Sequence, residues 1–192
     1  MTEPISQAKQ TLRQQMRQQL AVLTAPTRAT AATALCTRIT ATKIWREAKS
    51  VLLFAPLPDE PDLWPLLGQG LAENKHCALP SYVPATGVYV ARRIADPVRD
   101  LATGKFGIRE GAESCPEIPL NQLDLVLVPG VAFDAHGRRL GRGKGFYDRL
   151  LAGVRGTKCG VAFEEQLVPA VPVGPHDISL NCILTPARWI ET

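Results

Sequence analysis

From Gly137 to Arg149 the chain reads Gly-Arg-Arg-Leu-Gly-Arg-Gly-Lys-Gly-Phe-Tyr-Asp-Arg, a run whose chemistry is that of an anion receptor. Five basic side chains, Arg138, Arg139, Arg142, Lys144 and Arg149, accompany one acid, Asp148. Glycine takes every second place from Gly141 to Gly145. Glycine permits dihedrals and close backbone approaches that other residues resist. Backbone N–H groups exposed beside Arg and Lys make a cradle for phosphate oxygens. A helix expected from Phe146 to Ala152 would add the positive end of its dipole. The familiar phosphate loops do not describe this segment. A P-loop needs glycine where Arg138 stands and Ser or Thr where Gly145 stands, and G-x-G-x-x-G needs glycine at Phe146. On chemistry alone three readings stay open: a phosphate site, a solvated mobile loop, or a loop that touches RNA.

Other candidates are weaker taken singly. Lys9 and Arg13 lie four apart on one face of an expected helix, so both can reach one polyanion, although a solvated basic face is the commoner meaning of such a pair. His76, His136 and His176 have no metal-ligand spacing. The five cysteines are odd in number, widely spaced and without a C-x-x-C pair, which fits buried reduced thiols in a cytosolic protein better than zinc or redox chemistry.

These residues need a scaffold, and the hydrophobic pattern supplies one. Ile5 to Leu23 carries Leu12, Met16, Leu20 and Leu23 at helical spacing. Thr24-Ala-Pro26 stops that helix and starts a second, to about Ala41, with a short helical piece around Trp45. Ser50 to Ala55 is a continuous apolar run, as expected of a strand covered on both faces. A helix is expected over Asp62 to Asn74, with strands at Cys77 to Tyr82, Val88 to Ile94, Leu123 to Val128, Lys158 to Phe163 and Leu180 to Leu184. Asp96 to Gln122, rich in Gly, Pro and charge, reads as a loop with little regular structure. Alternating strands and helices predict a single α/β domain spanning residues 1–192, a sandwich around a largely parallel sheet. The basic loop would then leave the carboxyl end of a strand, where open α/β sheets bind ligands.

Bulk properties narrow the function. The 192 residues are 45% hydrophobic and 21% charged, with net charge +4, too mild a bias to argue for nucleic acid. Aromatic residues make up 6%, few for a surface that stacks bases. No run approaches the about 18 apolar residues of a membrane span, and the N-terminus has no signal-peptide core.

The ordered set Pro129-Gly-Val-Ala-Phe-Asp134-x-x-Gly137-x-Arg139-Leu-Gly-Arg-Gly-Lys-Gly-Phe-Tyr-Asp148 resembles the signature of the 5-formyltetrahydrofolate cyclo-ligases, or methenyltetrahydrofolate synthetases. Ala8-Lys9-x-x-Leu12-Arg13 resembles the family's first ATP-contacting helix, Asp59-Glu60 its folate-binding acidic pair, and Val171-Pro-Val-x-x-x-Asp177 its metal-binding stretch. The resemblance implies a three-layer α/β fold related to the sugar-phosphate isomerase and CoA-transferase group. It implies a cytoplasmic enzyme, monomeric or weakly associated, that consumes MgATP to close 5-formyltetrahydrofolate to 5,10-methenyltetrahydrofolate. ATP would be met by Lys9, Arg13, Arg139, Leu140, Gly141, Arg142, Gly143, Lys144, Gly145, Phe146 and Tyr147, with Arg142 and Lys144 as the catalytic cations. Folate would be met by Ala55, Glu60, Arg142, Gly143, Lys144, Gly145 and Phe146. Asp148 and Asp177 would hold magnesium. Plainer roles exist for several of these. Asp148 could pair with Lys144 along the helix, Asp177 could cap a turn, Glu60 could cap the helix from Asp62, and Phe146 and Tyr147 could be core. The family's G-I-P-E-P loop is Gly107-Ile-Arg-Glu-Gly111 here, which is a departure in its folate contacts.

Overall fold

The computed structural model describes residues 3–105 and 107–192. Met1, Thr2 and Phe106, the last within the segment expected to be irregular, lie outside the described residues.

Three helices precede the first strand: α1 (Glu3–Ala21), α2 (Ala25–Ala41) and α3 (Lys43–Glu47). Threonines punctuate them. The Thr24 hydroxyl accepts from Thr27 N at 3.3 Å and Pro26 sits in the first turn, so α2 starts where its first N–H groups are met or absent. Thr42 closes α2 and caps α3 by accepting from Trp45 N at 3.2 Å. Of the expected α1 stripe, Met16 and Leu20 are buried and Leu12 packs partly buried against the same cluster as Met16.

The strands β1 (Ser50–Leu52), β2 (His76–Val83), β3 (Val88–Ile94), β6 (Glu117–Ile118), β7 (Leu125–Val128), β10 (Thr157–Val161), β11 (Cys182–Leu184) and β12 (Trp189–Glu191) form one sheet, ordered β12-β11-β10-β7-β1-β2-β3-β6. The five central strands are parallel, and β12, β3 and β6 add antiparallel edges. Two two-stranded hairpins complete the set: β4 (Leu101–Thr103) with β5 (Arg109–Gly111), and β8 (Ala132–Phe133) with β9 (Arg139–Leu140). Strand residues alternate between two cores. Val51, Cys77, Leu79, Leu125, Leu127, Cys159, Val161, Cys182 and Leu184 meet α2, α3 and α4 (Trp64–Ala72) through Leu35, Ile39, Trp45 and Leu66. Leu52, Ala78, Val126, Val128 and Ile183 meet α5 (Phe146–Leu151) through Leu150 and Leu151. This period-2 division is the three-layer sandwich expected of a sheet covered on both faces. Gly160 belongs to the second face, where a Cβ would fall 2.8 Å from both Phe133 and Leu180, so only glycine lets Phe133 cross over β10.

Several expectations are corrected. The Asp96 to Gln122 segment carries β4, β5, β6 and a 3-10 turn at Leu120–Gln122. The Asp100 carboxylate accepts from Ala95 N and Asp96 N at 2.8 and 2.9 Å and turns the chain into that hairpin, a contact that hydrophobic periodicity does not register. The first strand ends at Leu52 rather than Ala55, the fourth helix starts at Trp64 rather than Asp62, and β12 was not expected at all. The Asp62 carboxylate accepts from Trp64 N at 3.0 Å, which places it ahead of the helix.

Candidate active site

The order of strands reverses at β1, which has β2 on one side and β7 on the other. Loops leaving β1 and β7 therefore diverge at their carboxyl ends and open a crevice, the usual ligand position in such sheets. Here the crevice is a largely apolar cleft of about 860 Å³.

The chain after β7 is shaped by a buried carboxylate. Asp134 is fully buried. Its Oδ1 accepts from His136 N (2.9 Å) and Arg138 N (3.3 Å), its Oδ2 accepts from Val171 N (2.7 Å), and Arg138 pairs with it at 2.7 Å. These bonds close the β8–β9 turn and fasten the 171–177 segment beside it. From β9 the chain enters the glycine loop. Gly143 and Gly145 have φ of +99° and +64°, which residues with a Cβ resist. At Gly141 a Cβ would lie 2.8 Å from the Arg139 guanidinium. Two glycines thus set the path and the third makes room for an arginine. The α5 helix that follows has six residues and no side-chain cap, so its dipole is a smaller contribution than a full helix would give.

The cleft collects nearly every expected site residue: Lys9, Arg13, Ala55, Glu60, Arg139, Gly141, Arg142, Gly143, Lys144, Gly145, Phe146, Tyr147, Asp148 and Asp177. Leu140 stands apart from them. Its side chain is 1% exposed, packs with Met16, Ala132 and Val171, and does not line the cleft. The alternation of β9 turns Arg139 toward the cleft and Leu140 away from it.

Most of the charges are already paired. Lys9, 5% exposed, reaches Asp177 at 2.5 Å, and Asp177 also accepts from Gly174 N at 2.6 Å. Arg13 donates to the Gly141 carbonyl at 2.8 Å and so ties α1 to the glycine loop. Burial pulls the Arg13 pKa down against the opposing pull of Asp177. Arg139 bonds Asp148 at 2.9 Å and lies 5.7 Å from the Tyr147 ring centre. Arg142 bridges Asp59 at 2.6 Å and Glu60 at 3.1 Å. Burial lowers the Arg142 pKa, but the two carboxylates outweigh it and the net shift is upward. Burial pushes the Glu60 carboxyl up by more than the Leu57 N–H and Arg142 bring it down, so its pKa is raised. Lys144 is exposed; its carbonyl accepts from Arg149 at 3.3 Å, and its ammonium makes no hydrogen bond or ion pair among the described residues.

Asp148 and Asp177 each use one oxygen in these contacts, while Asp148 Oδ2 and Asp177 Oδ1 accept nothing among the described residues. Two carboxylate oxygens, with no group of three or more His, Cys, Asp and Glu among the described residues, would fit magnesium, which takes few protein carboxylates beside phosphate oxygens and water. They do not suit zinc. Asp148 pairs with Arg139, nine residues earlier, rather than with Lys144.

The apolar wall was only partly foreseen. Tyr89 and Phe146 meet edge to face at 5.1 Å, with Tyr82 at 6.1 Å from Phe146. Burial, then the nearby Glu110 and Tyr82, pushes the Tyr89 phenol up to about 12. Burial first, then Glu60, also raises the Tyr147 phenol. Tyr89 and His176 line the cleft without having been assigned to it, and with them come Arg149 of the basic run and Glu110 of the Gly107–Gly111 loop. Tyr89 lies on an expected strand that hydrophobic pattern alone does not mark as a site, whereas Glu110 has its signal in the Gly107-Ile-Arg-Glu-Gly111 loop that corresponds to the family's folate-contacting loop.

Fold and site together define an α/β enzyme with a cationic glycine loop at the mouth of an apolar cleft. The chain belongs to the 5-formyltetrahydrofolate cyclo-ligase family, which it matches over residues 5–186. It is 27% identical to the mouse 5-formyltetrahydrofolate cyclo-ligase, over 94% of each chain. Identity to the Escherichia coli K12 enzyme of that name is 34%, over 75% of this chain and 81% of that one. Among solved structures, the Aquifex aeolicus 5,10-methenyltetrahydrofolate synthetase superposes with a TM-score of 0.87 at 32% identity, covering 95% of this chain and 92% of that chain. A Mycoplasma pneumoniae synthetase shares the fold, with a TM-score of 0.74 at 21% identity over 93% and 98% of the two chains.

Proposed function

We propose that this enzyme uses ATP to cyclise 5-formyltetrahydrofolate to 5,10-methenyltetrahydrofolate, releasing ADP and phosphate. The observation that supports it best is the junction of two chemistries in one cleft. A glycine loop with two positive-φ glycines carries Lys144, whose ammonium has no partner among the described residues, beside an apolar wall that ends in the buried acceptor Glu60.

The formyl group on N5 is an amide, and its oxygen is a poor leaving group. Attack of that oxygen on the γ-phosphorus forms an O–P bond and expels ADP. The N10 lone pair then adds to the activated carbon, the N10 proton departs, and the C–O bond breaks to release phosphate. The protein's part is positioning and charge. Lys144 and the loop N–H groups stabilise charge on the transferred phosphoryl group, with Lys9, Arg13 and Arg139 around the triphosphate. Asp148 and Asp177 are the residues that would hold magnesium, which supplies charge neutralisation between phosphates. Glu60 accepts from the pterin amino and ring N–H groups, and Phe146 packs on the ring. Arg142, which pairs with Glu60 and Asp59, is shared between the two halves and can reach both the phosphates and the pterin side of the cleft. Ala55 leaves the wall roomy. One chain supplies every group in this scheme, which suits a monomer, and five free thiols suit a reducing cytoplasm. The test is incubation with MgATP, with and without 5-formyltetrahydrofolate, while ADP is measured. Folate-independent ADP release would refute the reading.

A further inference from the structure

Gln166 is a buried polar side chain, 1% exposed, that does not line the cleft. It ends the 3-10 turn Glu164–Gln166 that follows β10. Its Oε1 accepts from Phe163 N at 2.8 Å. Its Nε2 donates to the Gly130 carbonyl at 2.7 Å and to the Val131 carbonyl at 3.4 Å. One side has a donor and the other acceptors, so the partners fix which way the amide faces. The Gly130 carbonyl belongs to the same peptide unit as the Val131 N–H, which donates to the Leu140 carbonyl at 2.7 Å. A planar peptide turns as one body. The amide that holds its oxygen therefore also aims its N–H at Leu140, the residue before the glycine loop. The neighbouring carbonyl on the amino side, Pro129, accepts from Arg139 at 3.4 Å, and Arg139 continues to Asp148. The peptide is tightly enclosed: a Cβ on Gly130 would lie 2.7 Å from Phe133 and 3.0 Å from Arg139. The chain after Gln166 then runs beside β8, with a parallel bridge from Phe133 to Leu167 and Val168 N donating to the Phe133 carbonyl at 2.9 Å, before it reaches Asp177.

We infer that Gln166 is a positioning residue of the phosphoryl-transfer step, acting through the Gly130–Val131 peptide to fix where the glycine loop begins. The inference rests on the cyclo-ligase reading of the cleft. Donors that stabilise a moving phosphoryl group work only when they are already in place. Lys144 and the loop N–H groups take their place from the start of the loop, which is held by Val131 N–H on Leu140 and by Arg13 on Gly141. Gln166 aims the first of these two bonds. A carboxamide suits the position because it donates and accepts at once; an ionised carboxylate only accepts, and an apolar side chain does neither. Gln166 makes no hydrogen bond to the β1 loop that carries Glu60, among the described residues, so the folate half of the cleft does not depend on it.

The test uses the full chain with Gln166→Met and Gln166→Glu. Methionine fills a similar space without the hydrogen bonds. Glutamate keeps the shape. As a neutral acid it can donate to Gly130 and accept from Phe163 N, and once ionised it turns only acceptors toward a carbonyl. Turnover is measured at a temperature where each variant is folded by circular dichroism. Gln166→Met should lower kcat by about tenfold or more, with KM for 5-formyltetrahydrofolate within twofold. The kcat of Gln166→Glu, divided by that of the unaltered enzyme at the same pH, should approach one near about pH 5.5 and fall at least about fivefold by about pH 8.5, as a buried carboxyl ionises. Wild-type kcat in Gln166→Met, or a Gln166→Glu ratio that stays constant with pH, overturns the inference. So does a lowered melting temperature with unchanged kinetics, which makes Gln166 a fastener of the fold. If Gln166→Met does not fold, the pH dependence of the Gln166→Glu ratio decides alone. Failure of the unaltered enzyme to turn over formylfolate would instead refute the cyclo-ligase reading itself.

Discussion

Lys144 and Arg142 lie two residues apart and differ in state: the lysine ammonium has no partner among the described residues, while the arginine is held by Asp59 and Glu60. A compact, free ammonium is the group able to follow a phosphoryl group as it moves. Lys144→Ala should therefore lower kcat by on the order of a hundredfold with a small change in KM for ATP. A rise in KM at constant kcat would reduce Lys144 to nucleotide attraction. Glu60 makes a prediction in pH. Its pKa is raised by burial, so the folded chain holds this proton to higher pH than the unfolded chain does. Stability then falls as pH rises from the ordinary glutamate range through the raised pKa, because ionisation is disfavoured in the fold. Folate affinity should move the opposite way over the same window, since only the carboxylate accepts from both pterin donors. Glu60→Gln should weaken folate binding, leave ATP binding nearly intact and flatten both pH dependences; calorimetry and melting curves between pH 4 and pH 8 (roughly the range over which raised carboxyls titrate) would show it. Asp148→Asn should raise the magnesium needed for half-maximal rate, because one anionic oxygen is lost. An unchanged magnesium titration would make Asp148 only the partner of Arg139.

The glycine loop was legible because its chemistry is local: charge and glycine alternate over a few neighbouring residues. The helices were legible for the same reason, since threonine caps and apolar stripes act within a turn or two. What was hidden joins distant residues. Lys9 and Asp177 are 168 positions apart, and Arg142 and Asp59 are 83 apart, so neither pair leaves a pattern in the sequence. The β4–β5 hairpin was missed because three-residue strands are fixed by a carboxylate turn and by docking under β2 and β3. Asp134 shows how an element can depend on one such group. Asp134→Ala would orphan three N–H donors and leave Arg138 unpaired, a cost of about 3 kcal/mol. For a chain of this length that is a fall in Tm of roughly 6–12 °C, readable by calorimetry. A change within a degree or two would show that the 171–177 segment is held by other contacts. Gly143→Ala acts on conformation alone: at φ +99° it should cut kcat/KM for ATP by about tenfold or more, with only a local strain of about 1–3 kcal/mol.

At the scale of the molecule, the sheet's reversal at β1 explains why two loops with unrelated chemistry share one cleft. The β1 loop brings carboxylates, the β7 loop brings cations, and α1 closes over both through Lys9 and Arg13. None of the described helices is long and apolar enough to cross a membrane. Seven Lys and Arg side chains line the cleft against four Asp and Glu, so attraction to an anionic ligand should weaken with salt without becoming as steep as for nucleic acid. The account stands on coupling between the two halves, and one measurement reads it directly. ADP release and the methenyl chromophore should be followed together, with MgATP present and 5-formyltetrahydrofolate varied. The account predicts one ADP per methenyltetrahydrofolate formed and no ADP without formylfolate. ADP release that ignores formylfolate, or methenyltetrahydrofolate formed without ATP, would contradict it.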